Sequence, residues 1–198
     1  MKIVGITGGI ASGKSTASLY LEDKYKAYIF DADKEAKALL QLSFVKDKIY
    51  KAFPKLKDFS NVSISNEVFK NPESQKRINN IIHPIIGDLI LKRINEKKDS
   101  HNIFVIDAAL IIEAGIFQQY QKSGAKLILI IADEELRLKR ALHRADLDQE
   151  TIKDRIRLQM NDDEKIKYSD YVIENNSSKL DLYSKIDQII KKIILTIF

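Results

Sequence analysis

An α/β fold, a five-stranded parallel sheet with helices on both faces, is what this sequence predicts, and three observations carry the expectation. Short apolar runs alternate with longer amphipathic segments, the order expected of βα units. Several of these runs are apolar throughout, as strands buried on both faces are. The 198 residues suit one such domain, and 44% of them are apolar, enough for a substantial core.

Taken in order, the runs at 2–7, 27–31, 102–107, 126–132 and 170–174 are expected to be strands. Helical patterns follow the first, fourth and fifth of them, over 14–24, 134–145 and 179–194. About 70 residues separate the second strand from the third, far more than a simple crossover needs. That interval reads as several helices, including a long one over 72–97, with the most loop-rich stretch at 53–66. It is expected to be a helical insertion that builds a substrate site.

Composition narrows the function classes. Cysteine is absent, which excludes disulfides, zinc–thiolate sites and thiol nucleophiles and fits a cytoplasmic setting. The N-terminus runs straight into the apolar strand with no leader pattern. No apolar stretch approaches the roughly 20 residues that span a bilayer. The net charge of +5 suits an anionic partner, polyphosphate as well as nucleic acid, but the basic residues are scattered rather than blocked.

Gly8-Gly9-Ile10-Ala11-Ser12-Gly13-Lys14-Ser15 fits G-x-x-x-x-G-K-[ST], a phosphate-binding loop, between an apolar strand and a helical pattern. Its glycines let the backbone turn tightly and aim successive N–H groups from Gly9 to Thr16 at phosphate oxygens. Lys14 brings a mobile charge to the β- and γ-phosphates, and the Ser15 hydroxyl can ligand Mg²⁺. The positive end of the following helix points at the same place. A nucleoside triphosphate is the expected ligand. A Ras-type GTPase is not expected, since the nearest match to Asn-Lys-x-Asp is Ser184-Lys185-Ile186-Asp187, inside the last helical pattern and lacking the Asn.

A phosphoryl-transfer enzyme also needs a carboxylate at the acceptor and arginines for the charge on the transferring group. The second strand ends in Asp31-Ala32-Asp33, at the sheet edge where open α/β folds bind ligands. Asp33 suits the acceptor-activating role, with helix capping as the structural alternative. Arg137, Arg140 and Arg144 stand at i, i+3 and i+7 and so share one helix face, with Lys139 off it. Asp107 closes the third strand, where an acid can support Mg²⁺ through water or simply serve a turn.

Together these residues resemble the dephospho-CoA kinase family over nearly the whole chain. Gly5 to Thr16 resembles its T-G-G-I-x-S-G-K-S-T signature, and Asp31-Ala32-Asp33 its D-A-D. Ile81-Ile82-His83-Pro84 is similar to its helix-borne H-P motif, preceded by Phe69 and Asn71-Pro72-Glu73. Lys139-Arg140 and Arg144 fit its lid, Arg155-Ile156-x-x-Gln159 its R-I-x-x-Q, and Asp170 to Asn175 its D-Y-V-I-x-N. Ala11 replaces a loop glycine, with tolerance expected, and Ala108-Ala109-Leu110-Ile111-Ile112-Glu113 lacks the proline of x-P-L-L-F-E. The stretch 42–68 is short for the family and lacks its D-R-x-x-L.

The resemblance implies transfer of the ATP γ-phosphoryl group to the ribose 3′-hydroxyl of dephospho-CoA, with Mg²⁺ as cofactor. It implies Asp33, Lys14 and Arg140 as catalytic residues. ATP would be held by Gly9, Ile10, Ala11, Ser12, Gly13, Lys14, Ser15, Thr16, Arg144 and Asn175, with Arg155 and Gln159 as further candidates. Asp31, Arg77 and His83 would face the acceptor, and Ser15, with Asp107 through water, would face the metal. It further implies a kinase core over 1–33, 99–133 and 162–198, the acceptor-binding insertion over 34–98 and a lid over 134–161. The expected partners are ATP and dephospho-CoA, with no nucleic acid or membrane, in a monomer or weak homo-oligomer. A nucleotide or nucleoside kinase of the same superfamily and a regulatory P-loop ATPase are the alternatives.

Overall fold

The computed structural model describes residues 1–60, 63–64, 67, 71–143, 149–157 and 159–195. For residues 72, 149, 151, 154 and 155 it describes the backbone. The chain divides into two compact units, Met1–Asp31 with Ile94–Phe198, and Ala32–Arg93.

In the first unit, β1 (Lys2–Thr7), β2 (Tyr28–Asp31), β3 (Ile103–Asp107), β4 (Lys126–Ile131) and β5 (Tyr171–Glu174) form one sheet in the order β2-β3-β1-β4-β5. All pairings are parallel, so every strand brings its carboxyl end to the same edge. The register sets Ile6 beside Asp107 and Asp31 beside Asp107 on the other side, which fixes what stands at that edge. β3 is buried at all five positions, the burial its unbroken apolar run foretold. The expected strands are all present, with ends differing by at most one residue.

Helix α1 (Lys14–Tyr25) starts directly from the loop after β1 and ends on Lys26, whose φ of 51° is a left-handed cap. The helix at the carboxyl terminus, Lys179–Leu195, turns Leu182, Ile186, Ile190 and Ile193 inward. With Ala17 and Leu21 of α1 they close one face of the sheet over Val4, Ile6, Ile128, Ile130 and Ile173. Among the described residues no helix is long and apolar enough to cross a membrane.

In the second unit, α2 (Ala32–Leu39) begins where β2 ends, with no intervening loop. It is followed by α3 (Ser43–Ala52) and α4 (Pro72–Lys97). Val45 and Ile49 are the buried face of α3, one turn apart. The spacing of Ile78, Ile82, Ile86 and Ile90 gives α4 a buried stripe every fourth residue, and Pro84 sits inside the helix without ending it. The remaining elements, back in the first unit, are α5 (Gln118–Gln121), α6 (Glu134–Leu142), α7 (Gln149–Arg157), α8 (Asp162–Ile166) and, as α9, Lys179–Leu195. The helix expected over 134–145 is described as far as Leu142, and residues 144–148, including Arg144, lie outside the described residues.

Candidate active site

The loop from Gly8 to Lys14 leaves the carboxyl end of the central strand and closes on itself through Ser12 N–H to Gly9 O at 3.1 Å. Gly13 precedes α1 with φ 110°, a conformation glycine reaches freely, and a Cβ there would lie 2.2 Å from Asn175 Nδ2. Gly9 is constrained from outside, since a Cβ on it would meet Arg137 Nη2 at 2.2 Å. Ala11 has φ 58°, so it holds a left-handed backbone that glycine would take more easily. The tolerance expected for Ala11 therefore comes with a local cost.

Lys14 leans on Asp107, whose Oδ1 receives its ammonium group. The second oxygen of Asp107 accepts from Ser18 Oγ at 2.6 Å. Asp107 is only 5% exposed, so this carboxylate is satisfied by a cation on one side and a hydroxyl on the other. Ser18 was missed by sequence reasoning. Its position four residues after Lys14 puts both on one helix face, and that spacing was the available signal.

Arg137, one of the three arginines expected to share a helix face and serve the transferring group, is buried instead. It is 7% exposed, donates from Nε to Ile10 O at 3.0 Å and pairs with Asp162 Oδ2 at 3.4 Å. Ile10 N–H in turn donates to Gln159 Oε1 at 3.1 Å. Both backbone groups of Ile10 are thus held by side chains that arrive 127 and 149 residues later in the chain. Arg140 donates from Nη2 to Asn175 O at 3.0 Å, while Lys139 is exposed as expected.

Asn175, 5% exposed, donates from Nδ2 to Ser12 O at 2.7 Å, and its own N–H goes to Ile131 O at 2.8 Å. It braces the loop from behind, the end of β5 supporting the turn that α1 grows from. Glu113 Oε1 accepts from Met160 N at 3.2 Å and lies 3.5 Å from Lys165 Nζ on α8, a side chain with no exposure at all. This pair fastens the segment bearing Gln159 and Asp162, and it too was not singled out from sequence. Asp170 Oδ2 receives the Leu127 N–H at 2.9 Å. Burial pushes the Asp170 carboxyl up, but hydrogen bonds from Leu127, Lys126 and Gln121 outweigh it and hold the group below the usual carboxylate range.

Asp31 is the exposed last residue of β2. In the second unit, Asp33 lies in the first turn of α2, which starts at Ala32, so it is a helix residue near the positive end rather than the cap. Arg77 donates from Nη1 to Ala52 O at 3.0 Å, meets Glu73 Oε1 at 3.3 Å and lies over the Phe53 ring, which gives it a packing duty at the end of α3. His83 is half-buried on α4, and burial holds its imidazole below the usual value, so it is neutral at pH 7. Ser15 is exposed at the first turn of α1, and Thr16 is half-buried beside it.

Among the described residues no three acidic or histidine side chains are placed to hold a metal ion together. Mg²⁺ at a phosphate loop does not need one, because it keeps waters and takes substrate oxygens with one or two protein groups. The Ser15 hydroxyl at the start of α1 and the Asp107 carboxylate at the end of β3 are hard oxygen donors of that kind. The set fits Mg²⁺ better than it fits a softer metal.

A profile of the family described as "Dephospho-CoA kinase" matches residues 2–181. A curated relative named dephospho-CoA kinase from Fusobacterium nucleatum is 36% identical, covering 94% of this chain and 95% of its own. Another from Saccharomyces cerevisiae is 33% identical, covering 98% of this chain and 83% of its own. The solved dephospho-CoA kinase from Campylobacter jejuni superposes with a TM-score of 0.65 at 30% identity over 98% of both chains. Shikimate kinase from Acinetobacter baumannii, at 16% identity and a TM-score of 0.59 over 99% of this chain and 96% of its own, shares the P-loop kinase fold alone. The sheet order, the phosphate loop and a family match that begins in β1 and reaches into the last helix agree: this chain belongs to the dephospho-CoA kinase family.

Proposed function

We propose that the protein transfers the γ-phosphoryl group of ATP to the ribose 3′-hydroxyl of dephospho-CoA, giving CoA and ADP. The observation that carries this reading is the triphosphate loop braced by Asn175, Arg137 and Gln159, in a chain that matches the family from residue 2 to residue 181.

In this reading the loop residues Gly9 to Thr16 and the Lys14 ammonium hold the phosphates. Mg²⁺, when bound, neutralises charge on the β- and γ-phosphates, and Ser15, with Asp107 through water, would hold it. Lys14 leaves Asp107 to reach the phosphates. Arg140 leaves the Asn175 carbonyl for the charge that develops on the transferring group, and Arg144 supports it from the same segment. Asp33 accepts the proton of the 3′-hydroxyl as the oxygen attacks the γ-phosphorus, and the bond to the β-phosphate oxygen breaks to release ADP. Residues 34–98, with Asp31 and His83, bind the acceptor, and residues 134–161 close over ATP as a lid. Arg77 serves the acceptor only after giving up its bond to Ala52 O. The reaction suits a cytoplasmic protein working on soluble substrates.

The test is to incubate the protein with ATP, Mg²⁺ and dephospho-CoA and to locate the new phosphate by ³¹P NMR. A 3′-phosphomonoester with stoichiometric ADP is expected. ADP and inorganic phosphate with no phosphomonoester would sink the proposal.

A further inference from the structure

We infer that Ser18 is a positioning residue for the triphosphate site, anchoring the Asp107 carboxylate so that Lys14 is free to leave it for the phosphates. This rests on reading Gly8 to Ser15 as a triphosphate loop, and not on the identity of the acceptor.

Asp107 divides its two oxygens between Lys14 and Ser18. Both partners come from α1, one turn apart, and Ser18 is itself only 4% exposed. Lys14 therefore has two anionic destinations, the carboxylate beside it and a phosphate group on the loop. Each time it turns to the phosphates, a buried carboxylate loses the cation that touches it directly, and an under-compensated buried charge is costly. The Ser18 hydroxyl stays in place through that exchange. A hydrogen bond to an ionised acceptor is roughly twice as strong as one between neutral groups. With Ser18 present, Asp107 tolerates the departure of Lys14. Without it, Asp107 holds Lys14 more tightly and ATP competes less well.

The prediction concerns the difference between ligands with and without phosphates. Ser18→Ala is expected to weaken ATP binding about tenfold, the scale of one hydrogen bond to a charged group. Adenosine, which has no phosphate for Lys14 to reach, should bind as before. Ser18→Cys keeps nearly the same volume but donates weakly, so it should reproduce the loss for ATP while the chain stays folded, with adenosine binding unchanged. In an Asp107→Asn background the Ser18→Ala change should cost less than about twofold, because the charge it serves is gone. Calorimetric titration of the full chain with each ligand, with and without Mg²⁺, reads all of these directly. Unchanged ATP affinity in Ser18→Cys would overturn the inference. So would equal losses for ATP and adenosine, or a full tenfold loss persisting in the Asp107→Asn background.

Discussion

Replacing Glu113 by Gln removes a charge but keeps the oxygen that accepts from Met160 N, so it isolates the attraction between Glu113 and Lys165. Their separation of 3.5 Å is at the far limit of a hydrogen bond, which makes the attraction mainly Coulombic. At an effective dielectric near 20, two unit charges at that distance attract by about 5 kcal/mol. Leaving one member of a buried pair unpaired typically costs about 3–5 kcal/mol. Lys165 has no exposure to relieve it, while the Glu113 side chain keeps 20% of its own, so the lower end, about 3 kcal/mol, is expected. For a chain of this size that corresponds to a fall in Tm of about 6–12 °C. The companion Lys165→Met turns the orphan ammonium into an apolar side chain of similar length. Glu113→Gln with Lys165→Met should regain most of the loss, since replacing both charges is often close to neutral. Calorimetric melting of the three variants and the native chain tests this. A Glu113→Gln variant melting within 2 °C of native, or a double variant no better than the single, would refute the reasoning.

Other expectations can be checked alongside it. Asp33→Asn should lower kcat about a hundredfold or more, the usual scale for acid–base help, while the Kd for ATP stays unchanged; undiminished turnover would move the proton to another group. Ala11→Gly relieves a left-handed alanine worth about 1–2 kcal/mol but adds about 0.4–1 kcal/mol of unfolded-state entropy, so Tm should hold or rise slightly, and a clear drop would contradict the backbone assigned there. His83 is held below its unfolded value of 6.5 by burial, so its contribution to stability is complete above that pH and is lost as pH falls through the folded value. Melting between pH 7.5 and 5 should therefore fall less steeply in His83→Gln than in the native chain.

Much of the fold was legible because its signals are local. The strands are unbroken apolar runs, and the long helix over Pro72–Lys97 was expected to its ends despite Pro84, since its apolar residues recur every fourth position. The phosphate loop was legible because glycine, lysine and serine are each required by a contact at a fixed offset. What supports that loop was not legible in the same way. Asn175 and Ser12 are 163 residues apart, and nothing local tells that an asparagine after a strand will brace a turn near the N-terminus. Arg137 read as one of three arginines sharing a helix face and serving the transferring group; only the path of the chain past Ile10 makes it a buried clamp. Arg77 shows the converse, a candidate for the acceptor that the fold occupies with the end of α3. Ser18 lies between the two cases. Its helical offset from Lys14 was visible, but the value of that offset depends on Asp107, which comes 89 residues later.

The most direct measurement is the ratio of kcat/KM for dephospho-CoA to that for AMP and for adenosine, with ATP and Mg²⁺ held at saturation. A dephospho-CoA kinase should favour dephospho-CoA by orders of magnitude, and Asp33→Asn should lower the rate with every acceptor alike. Equal values for the three acceptors would contradict it, and would return the braced triphosphate loop to a kinase of some other substrate.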